Sequence, residues 1–548
     1  MEKNVTPNKQ KPSFFKTFLY VFSVFLILHM LFGPKPTPTE GVNIPQTKRK
    51  EIERNLIPFK TQSLTGNFNT NGIRLDNVIL TKYKQTLDKD SPNVELLKYR
   101  SEDNTDEKSS YIELSFLSNS SDSSLLPSYE TRWEIISKTN NSITLSWTNK
   151  NKVEFIRTLS FDENYMLTVK DTINNKSKET VELYPYARVV YAHNTLSAPS
   201  SSHTGFVGFL DGNLEELTYS DISKNKNQEF NSKNGWLGFG SDYFMTILIP
   251  NQNNENFTSR ILELENQQNS TIKQFQADYV RDIVKIEKNQ SKDITSHIYI
   301  GAKVQSIIEK YETEFSIPNF DLVIDYGSFY ILSKPFTQIL KWFYDLSGNF
   351  GVAIILFTIL IRALLFPIAQ KSFKSMEKMK KMQPEMKRIQ TLYANDKQRM
   401  NLELAMLYKK SGVNPLSGCL PLLLQIPVFF ALYKSLVISI EMRQAPFFGW
   451  IKDLSVADPT SIFNLFGLLP YQPWNWLPQI GILPILMGIT MYIQQIMQPA
   501  MSTDETQAKI MKFLPLLFTI MFAGLPSGLV LYWTVNNILS IVQQKYIK

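Results

Sequence analysis

The chain has 548 residues, more than one ordinary domain uses, of which 43% are hydrophobic and 20% charged, with a formal net charge of +8. Over that length the charge is too dilute to mark a nucleic-acid binder, and the single cysteine, Cys419, excludes an internal disulfide, a CxxC redox pair and a cysteine-based zinc site. The apolar residues are unevenly spread: a polar stretch from about Arg49 to Ile324 lies between ends that carry long greasy runs, the pattern of a water-facing domain tethered to a membrane.

The N-terminus is basic, with Lys3, Lys9, Lys11 and Lys16, and Phe18 to Phe32 is apolar apart from Ser23 and His29. No small-x-small cleavage site follows, and the chain continues Gly33-Pro34-Lys35-Pro36. Residues 1–33 therefore read as an uncleaved signal anchor rather than a signal peptide. Residues 34–56 read as an extended linker. From 57 to 320 the pattern is strand-like. Ser142-Ile143-Thr144-Leu145-Ser146-Trp147 alternates apolar and polar side chains, as a half-buried antiparallel strand requires, and Tyr165 to Val169 is a short apolar run broken by Thr168. Asn71-Gly72, Asn174-Asn175 and Asp211-Gly212 punctuate such strands, which predicts a large β-sandwich resting on its own core.

Beyond Lys303 the period becomes helical. Residues 321–348, with Trp342 and Tyr344 beside Lys334 and Lys341, are too short and polar to span a bilayer and suit an amphipathic helix at its interface. Residues 349–369 form a span with one charge, Arg362. Residues 370–412 read as a helical hairpin, and residues 413–548 hold four further apolar segments: Leu420 to Ile440, Ile482 to Met497, Ile510 to Leu525 and Gly528 to Val542. The last three offer only about 15 or 16 residues each, below the usual lower limit of about 17. The fold class is thus an α+β membrane protein with six transmembrane helices and a large extracytoplasmic β domain.

Charge orients it. The loop from Lys371 to Gly418 carries eleven lysines and arginines against Glu377, Glu385, Asp396 and Glu403, whereas Glu441 to Gln479 has only Arg443 and Lys452. By the positive-inside rule the hairpin and both termini are cytoplasmic and the β domain lies outside.

No HExxH, Walker loop or nucleophile elbow is present, so neither an enzyme, a metal nor a cofactor is expected. His29, His193, His203 and His297 show no metal-ligand spacing and read as ordinary core or surface residues. Arg362 is the exception among the spans. A central arginine costs roughly 2.5–3.5 kcal/mol on insertion scales, and either snorkels to the nearby cytoplasmic side or faces a water-filled cavity. Thr358 shares its helix face, and Gln425, Gln494, Gln495, Asn536 and Asn537 add polar groups to other spans, with no acid among them to neutralise it. Those amides, water or an acidic group of a substrate must solvate Arg362. In the hairpin, Met376, Met379, Met382 and Met386 form a stripe, which either packs against the partner helix or offers an adaptable landing surface for apolar segments. A transporter would need inverted repeats or acidic ion sites in the spans, and neither is seen.

From about Asp325 onward the residues resemble the YidC insertases, the bacterial branch of a group that includes the mitochondrial and chloroplast insertases. The resemblance is carried by Asp325-Tyr326-Gly327, Lys341-Trp342, Gly348-Asn349, the Arg362 span with Pro367, Met382-Gln383-Pro384 and Asp396-Lys397-Gln398-Arg399. It continues through Val413-Asn414-Pro415-Leu416, Gly418-Cys419, Pro421-Leu422-Leu423, Arg443-Gln444-Ala445-Pro446-Phe447, Asp453-Leu454-Ser455, Leu486-Met487-Gly488 and Pro526-Ser527-Gly528. It is thinner in the β domain, at Gly235-Trp236, Tyr243-Phe244, Ile249-Pro250 and Tyr299-Ile300-Gly301. The resemblance implies a five-helix core enclosing a hydrophilic groove, and an outer domain like the periplasmic β-supersandwich of Gram-negative members. It places the motif arginine on Arg362, groove polar positions on Thr358, Gln425 and Gln495, an aromatic one on Trp533, and an apolar sliding path through Phe429, Met487 and Met521. It further implies that nascent membrane proteins are the substrates, inserted without nucleotide hydrolysis in the bacterial inner membrane, and that the Sec translocon and the ribosome are partners. Two departures stand out: a longer outer loop from Pro459 to Gly481 with Tyr471, Trp474 and Trp476, and a tail without a long basic extension, which gives no support to tail-mediated ribosome binding.

Overall fold

The computed structural model describes residues 54–546 apart from 73, 101–108, 121, 197–201, 226, 265–270, 413–419, 470–478 and 498–504. The signal anchor and most of the linker expected from the sequence lie outside the described residues, as do Cys419, Tyr471, Trp474 and Trp476.

Alternation dictates the first half. Val153–Phe161 buries every second residue along its whole length, and Ser142–Thr148 buries Ile143 and Leu145, so each strand sets one face inward. Nine antiparallel strands run in the order Asn213–Thr218, Gly205–Leu210, Gly235–Gly240, Phe244–Ile249, Ser291–Ala302, Met166–Asn175, Val153–Phe161, Ser142–Thr148 and Glu134–Lys138. A second sheet orders Gln228–Ser232, Phe257–Glu263, Ile272–Arg281, Val181–Asn194, Tyr111–Leu117 and Arg74–Leu75, with Val284–Ile286 added beside Val181–Asn194. Leu56–Lys60, Leu64–Asn69, Asn77–Lys84 and Asn93–Lys98 make a smaller third sheet. The two large sheets share one core, in which Phe116 meets Phe155 at 5.5 Å and Tyr191 meets Phe239 at 6.0 Å between ring centroids. Gly301 is needed there: a Cβ on it would stand 2.2 Å from the Tyr165 ring.

Register writes a charge row across the second sheet. Arg74, Glu113, Arg188, Asp278, Arg260 and Glu229 are successive cross-strand partners on six strands, so the signs alternate. Glu113 accepts from Arg74 at 3.1 Å and from Arg188 at 2.8 Å, and Asp278 accepts from Arg260 at 3.0 Å. Opposite charges on adjacent strands support the sheet.

Helices α1 (Tyr219–Asn225) and α2 (Gln305–Glu314) belong to the β domain. Then come α3 (Tyr330–Ser347), α4 (Phe350–Leu392), α5 (Lys397–Lys410), α6 (Leu420–Ile438), α7 (Ile482–Met497), α8 (Glu505–Phe522) and α9 (Ser527–Tyr546). Helix α3 buries Ser333, Phe336, Thr337 and Leu340 and exposes Ile331, Trp342 and Leu346. Gly348 in the left-handed region ends it, and the Asn349 side chain caps α4 by accepting from Val352 N at 3.1 Å.

The sequence reading separates a span ending at residue 369 from a hairpin starting at 370. The structure joins them: α4 is one 43-residue helix running through Pro367 and Pro384. Met382 and Met386 pack on Leu404 and Leu407 of α5, while Met376 is buried with Ala369 and Phe373 and Met379 is also buried. Helices α8 and α9, at 18 and 20 residues, are longer than their apolar segments suggest, because each extends into polar sequence. Among the described residues, α4 is the helix long and apolar enough by length and composition to cross a membrane, and α6, α7 and α8 contain shorter apolar stretches.

A polar junction fixes the β domain to the bundle. Asp325 accepts from Lys434 Nζ of α6 at 2.5 Å and from His203 N of the β domain at 3.1 Å. Gly327, at φ +69°, lies against the Lys434 stem, where a Cβ would stand 2.9 Å from Cε. Beyond α6, Arg443 Nη2 donates to the carbonyls of Lys84 at 2.7 Å and Gln85 at 3.1 Å.

Candidate functional site

Helix α9 organises the site. Tyr532, Asn536 and Ser540 stand one turn apart on one face, and Trp533 and Asn537 follow on the next. Between them these residues reach α4, α6, α7 and α8.

Arg362 reaches α9 from α4. Its Nε donates to Asn536 Oδ1 at 2.7 Å, and its Nη2 donates to the Asn536 carbonyl at 3.0 Å and to the Ser540 hydroxyl. Ser540 Oγ in turn donates to the Asn536 carbonyl at 2.8 Å. The guanidinium is only partly exposed, and no carboxylate pairs with it among the described residues. Its three bonds go to neutral groups. That arrangement keeps the positive charge inside the bundle, solvated but not neutralised.

Gln425 of α6 is buried and donates to the Tyr532 hydroxyl. Asn537 is buried and bonds α7, donating to Thr490 Oγ1 at 3.2 Å and to the Met487 carbonyl at 3.5 Å. Trp533 sits among aromatic rings, with centroids 5.2 Å from Phe429, 5.3 Å from Phe522 and 6.4 Å from Phe518.

The structure thus brings Arg362, Gln425, Trp533, Asn537 and Phe429 together through α9. It does so less for the others. Thr358 is fully buried and donates to the Ile354 carbonyl of its own helix at 2.6 Å, so its hydrogen is committed locally. Gln495 is half-buried near the end of α7. Met487 is fully buried and reaches no surface, whereas Phe429 and Met521 are partly exposed. Sequence reasoning missed Ser540 and Tyr532. The signal for Ser540 was its i+4 spacing from Asn536. For Tyr532 none existed beyond its place one turn before Asn536.

Outward-facing side chains complete the picture. Leu364 and Phe366 on α4, Leu486, Ile489, Ile493 and Ile496 on α7, and Phe513, Leu516, Leu517 and Ile520 on α8 are all exposed. Apolar area on that scale marks contact with something other than water. An apolar-surfaced helical bundle holding an unneutralised arginine, attached to a large β domain, defines a membrane-embedded core with a water-facing appendage.

Known proteins give the family. Residues 342–548 match the family model described as 60Kd inner membrane protein, and residues 56–339 match that of the YidC periplasmic domain. The membrane protein insertase YidC of Rickettsia conorii (strain ATCC VR-613 / Malish 7) is 43% identical over 520 residues, covering 93% of this chain and 89% of that one. Its counterpart from Rickettsia felis (strain ATCC VR-1525 / URRWXCal2) is 44% identical over 501 residues, covering 90% and 87%. A solved structure of an active YidC insertase with its first transmembrane domain resolved aligns with 96% of this chain and 98% of its own, at 18% identity and a TM-score of 0.37. On the sequence relatives, the chain belongs to the YidC family of membrane protein insertases.

Proposed function

We propose that the protein inserts and folds integral membrane proteins in a bacterial inner membrane, using the polar cavity around Arg362 and no nucleotide hydrolysis. The reading rests on one observation above the rest: a guanidinium inside an apolar bundle whose partners are all neutral. An acidic or polar segment of an incoming chain exchanges with Asn536 and Ser540 as a partner for Arg362. Its apolar flank then transfers to lipid, and that transfer supplies the driving force. Six spans are proposed: the N-terminal anchor, the first half of α4, and α6 to α9. The hairpin and both termini face the cytoplasm and the β domain faces the periplasm, in keeping with the cationic excess between Lys371 and Gly418. Gln425, Gln495, Trp533 and Asn537 line the groove, with Thr358 buried behind it; Phe429 and Met521 flank the exit to lipid. The methionines of the hairpin hold its helices together, and the Sec translocon and the ribosome are the partners that deliver substrates.

Purified protein in proteoliposomes, offered a small substrate with an acidic translocated segment, tests this by protease protection. Protection that requires the protein and falls at least about tenfold in Arg362→Ala is the expected result, since a charge-assisted hydrogen bond is worth about 1.5–3 kcal/mol. Full protection by the mutant would remove Arg362 from the mechanism.

A further inference from the structure

The connection between α6 and α7 carries a surface that the groove does not use. Residues 459–503 contain no charged side chain. Within this stretch Leu465, Phe466, Leu468 and Leu469 are exposed, Leu468 by 84%. Leu465 and Phe466 both adopt positive φ, +52° and +60°, which bulky side chains rarely take up. Hydrogen bonds hold the loop in that form: Phe466 N donates to the Ser461 carbonyl at 2.7 Å, Gly467 N to Asn464 Oδ1 at 3.0 Å and Leu469 N to the Asn464 carbonyl at 3.0 Å.

The base of the loop is fixed to α7. Buried Asp458 accepts from Leu483 N at 2.8 Å, from Thr460 N at 2.9 Å and from Trp450 Nε1 at 3.3 Å. Thr460 Oγ1 accepts from Ile482 N at 2.9 Å, and Ile462 N donates to the Ile480 carbonyl at 3.0 Å. The apolar tip is therefore displayed on a base bonded to the first turn of α7, a helix that itself exposes Leu486, Ile489 and Ile493. Arg443 and Gln444, which precede it, bond Lys84 of the β domain, so the loop lies on that domain's side. Helix α7 has 16 residues, or about 24 Å, against about 30 Å of hydrocarbon.

We infer that residues 461–469 form a wedge seated in the acyl region of the outer leaflet, where they extend the apolar height of α7. Lipid is the occupant because the patch is uncharged, is rooted at the start of an apolar-faced helix too short to span, and keeps its side chains exposed in a form fixed by its own hydrogen bonds. The inference rests on the membrane reading proposed above.

The test uses the full chain in a Cys419→Ser background, reconstituted in vesicles of phosphatidylethanolamine and phosphatidylglycerol. An environment-sensitive fluorophore is attached at Leu468→Cys, and separately at Lys452→Cys, an exposed position nearby. The Leu468 label should lose more than half of its emission to lipids brominated in the acyl chain and be untouched by aqueous iodide, with the reverse at Lys452. Iodide quenching at Leu468 would overturn the wedge. Shielding from both quenchers would also overturn it, by identifying a protein occupant. Co-flotation with the vesicles reports membrane integration separately, and its failure would overturn the membrane reading and the wedge together.

Discussion

Arg362 has two tasks that a single substitution cannot separate. Its bonds to Asn536 and Ser540 hold α4 to α9, and its charge is what an acidic segment would meet. Asn536→Leu removes the acceptor of the guanidinium Nε, one of its three bonds, while the backbone carbonyl and Ser540 stay, and should destabilise the bundle by about 1.5–3 kcal/mol, as a buried charged donor left unpaired does. Arg362→Leu combined with Asn536→Leu removes both partners. Thermal unfolding in nanodiscs should find the double variant close to the parent, while insertion of an acidic substrate stays lost. If stability and insertion recover together, the arginine is only a structural tie. Thr358 teaches the opposite lesson: its spacing from Arg362 is right for a shared face, yet its hydroxyl serves its own helix.

At the scale of elements, close approach replaces side-chain bulk. A Cβ on Gly488 of α7 would lie 2.0 Å from Thr519 Oγ1 of α8, and Thr519 is itself tied to the Pro515 carbonyl at 2.8 Å. Gly488→Val should separate the two helices at a cost of about 1–3 kcal/mol, seen as a lowered unfolding midpoint with α4 and α9 still joined. An unchanged midpoint would mean that α8 is loosely held. Much of this layer was legible in advance: strands from alternation, helices from apolar periodicity, Arg362 from its isolation. What was not legible depends on partners far apart in sequence. Nothing local says that Tyr532 receives Gln425, or that Glu113 sits between Arg74 and Arg188. The continuity of α4 was hidden for a different reason. The apolar run gives way to a Lys-rich stretch at Lys371, which marks where a span ends and not where its helix does, and α4 runs on through Pro367 and Pro384.

At the scale of the molecule, the junction between β domain and bundle carries a pH signature. Lys303 is buried at the start of that junction, and burial depresses its ammonium from the ordinary 10.5 to about 8, despite Asp242 and Asp325 nearby. Between those values the unfolded chain holds the proton more tightly than the folded one. Stability should therefore rise with pH from about 8 towards 10.5, by at most about 1.4 kcal/mol per pH unit. Unfolding midpoints of the parent and Lys303→Met across that window isolate the effect; parallel curves would place the charged lysine in contact with water. Asp325 works the other way. Burial raises it, but Lys434 and the backbone N–H groups of His203 and Gly327 together outweigh burial and hold the carboxyl below its ordinary value, so its contribution is lost only in acid.

The neutral partners of Arg362 have a consequence for range. A guanidinium paired with a carboxylate is a dipole, and its field fades quickly with distance. Here the charge is a monopole. At about 10 Å, with an effective dielectric of about 20, it attracts a carboxylate by about 1.7 kcal/mol. On the aqueous side, salt limits that reach to about 8 Å. An acidic segment would be drawn in before it touches anything, and the bundle would act on it first as a field and only afterwards as a surface.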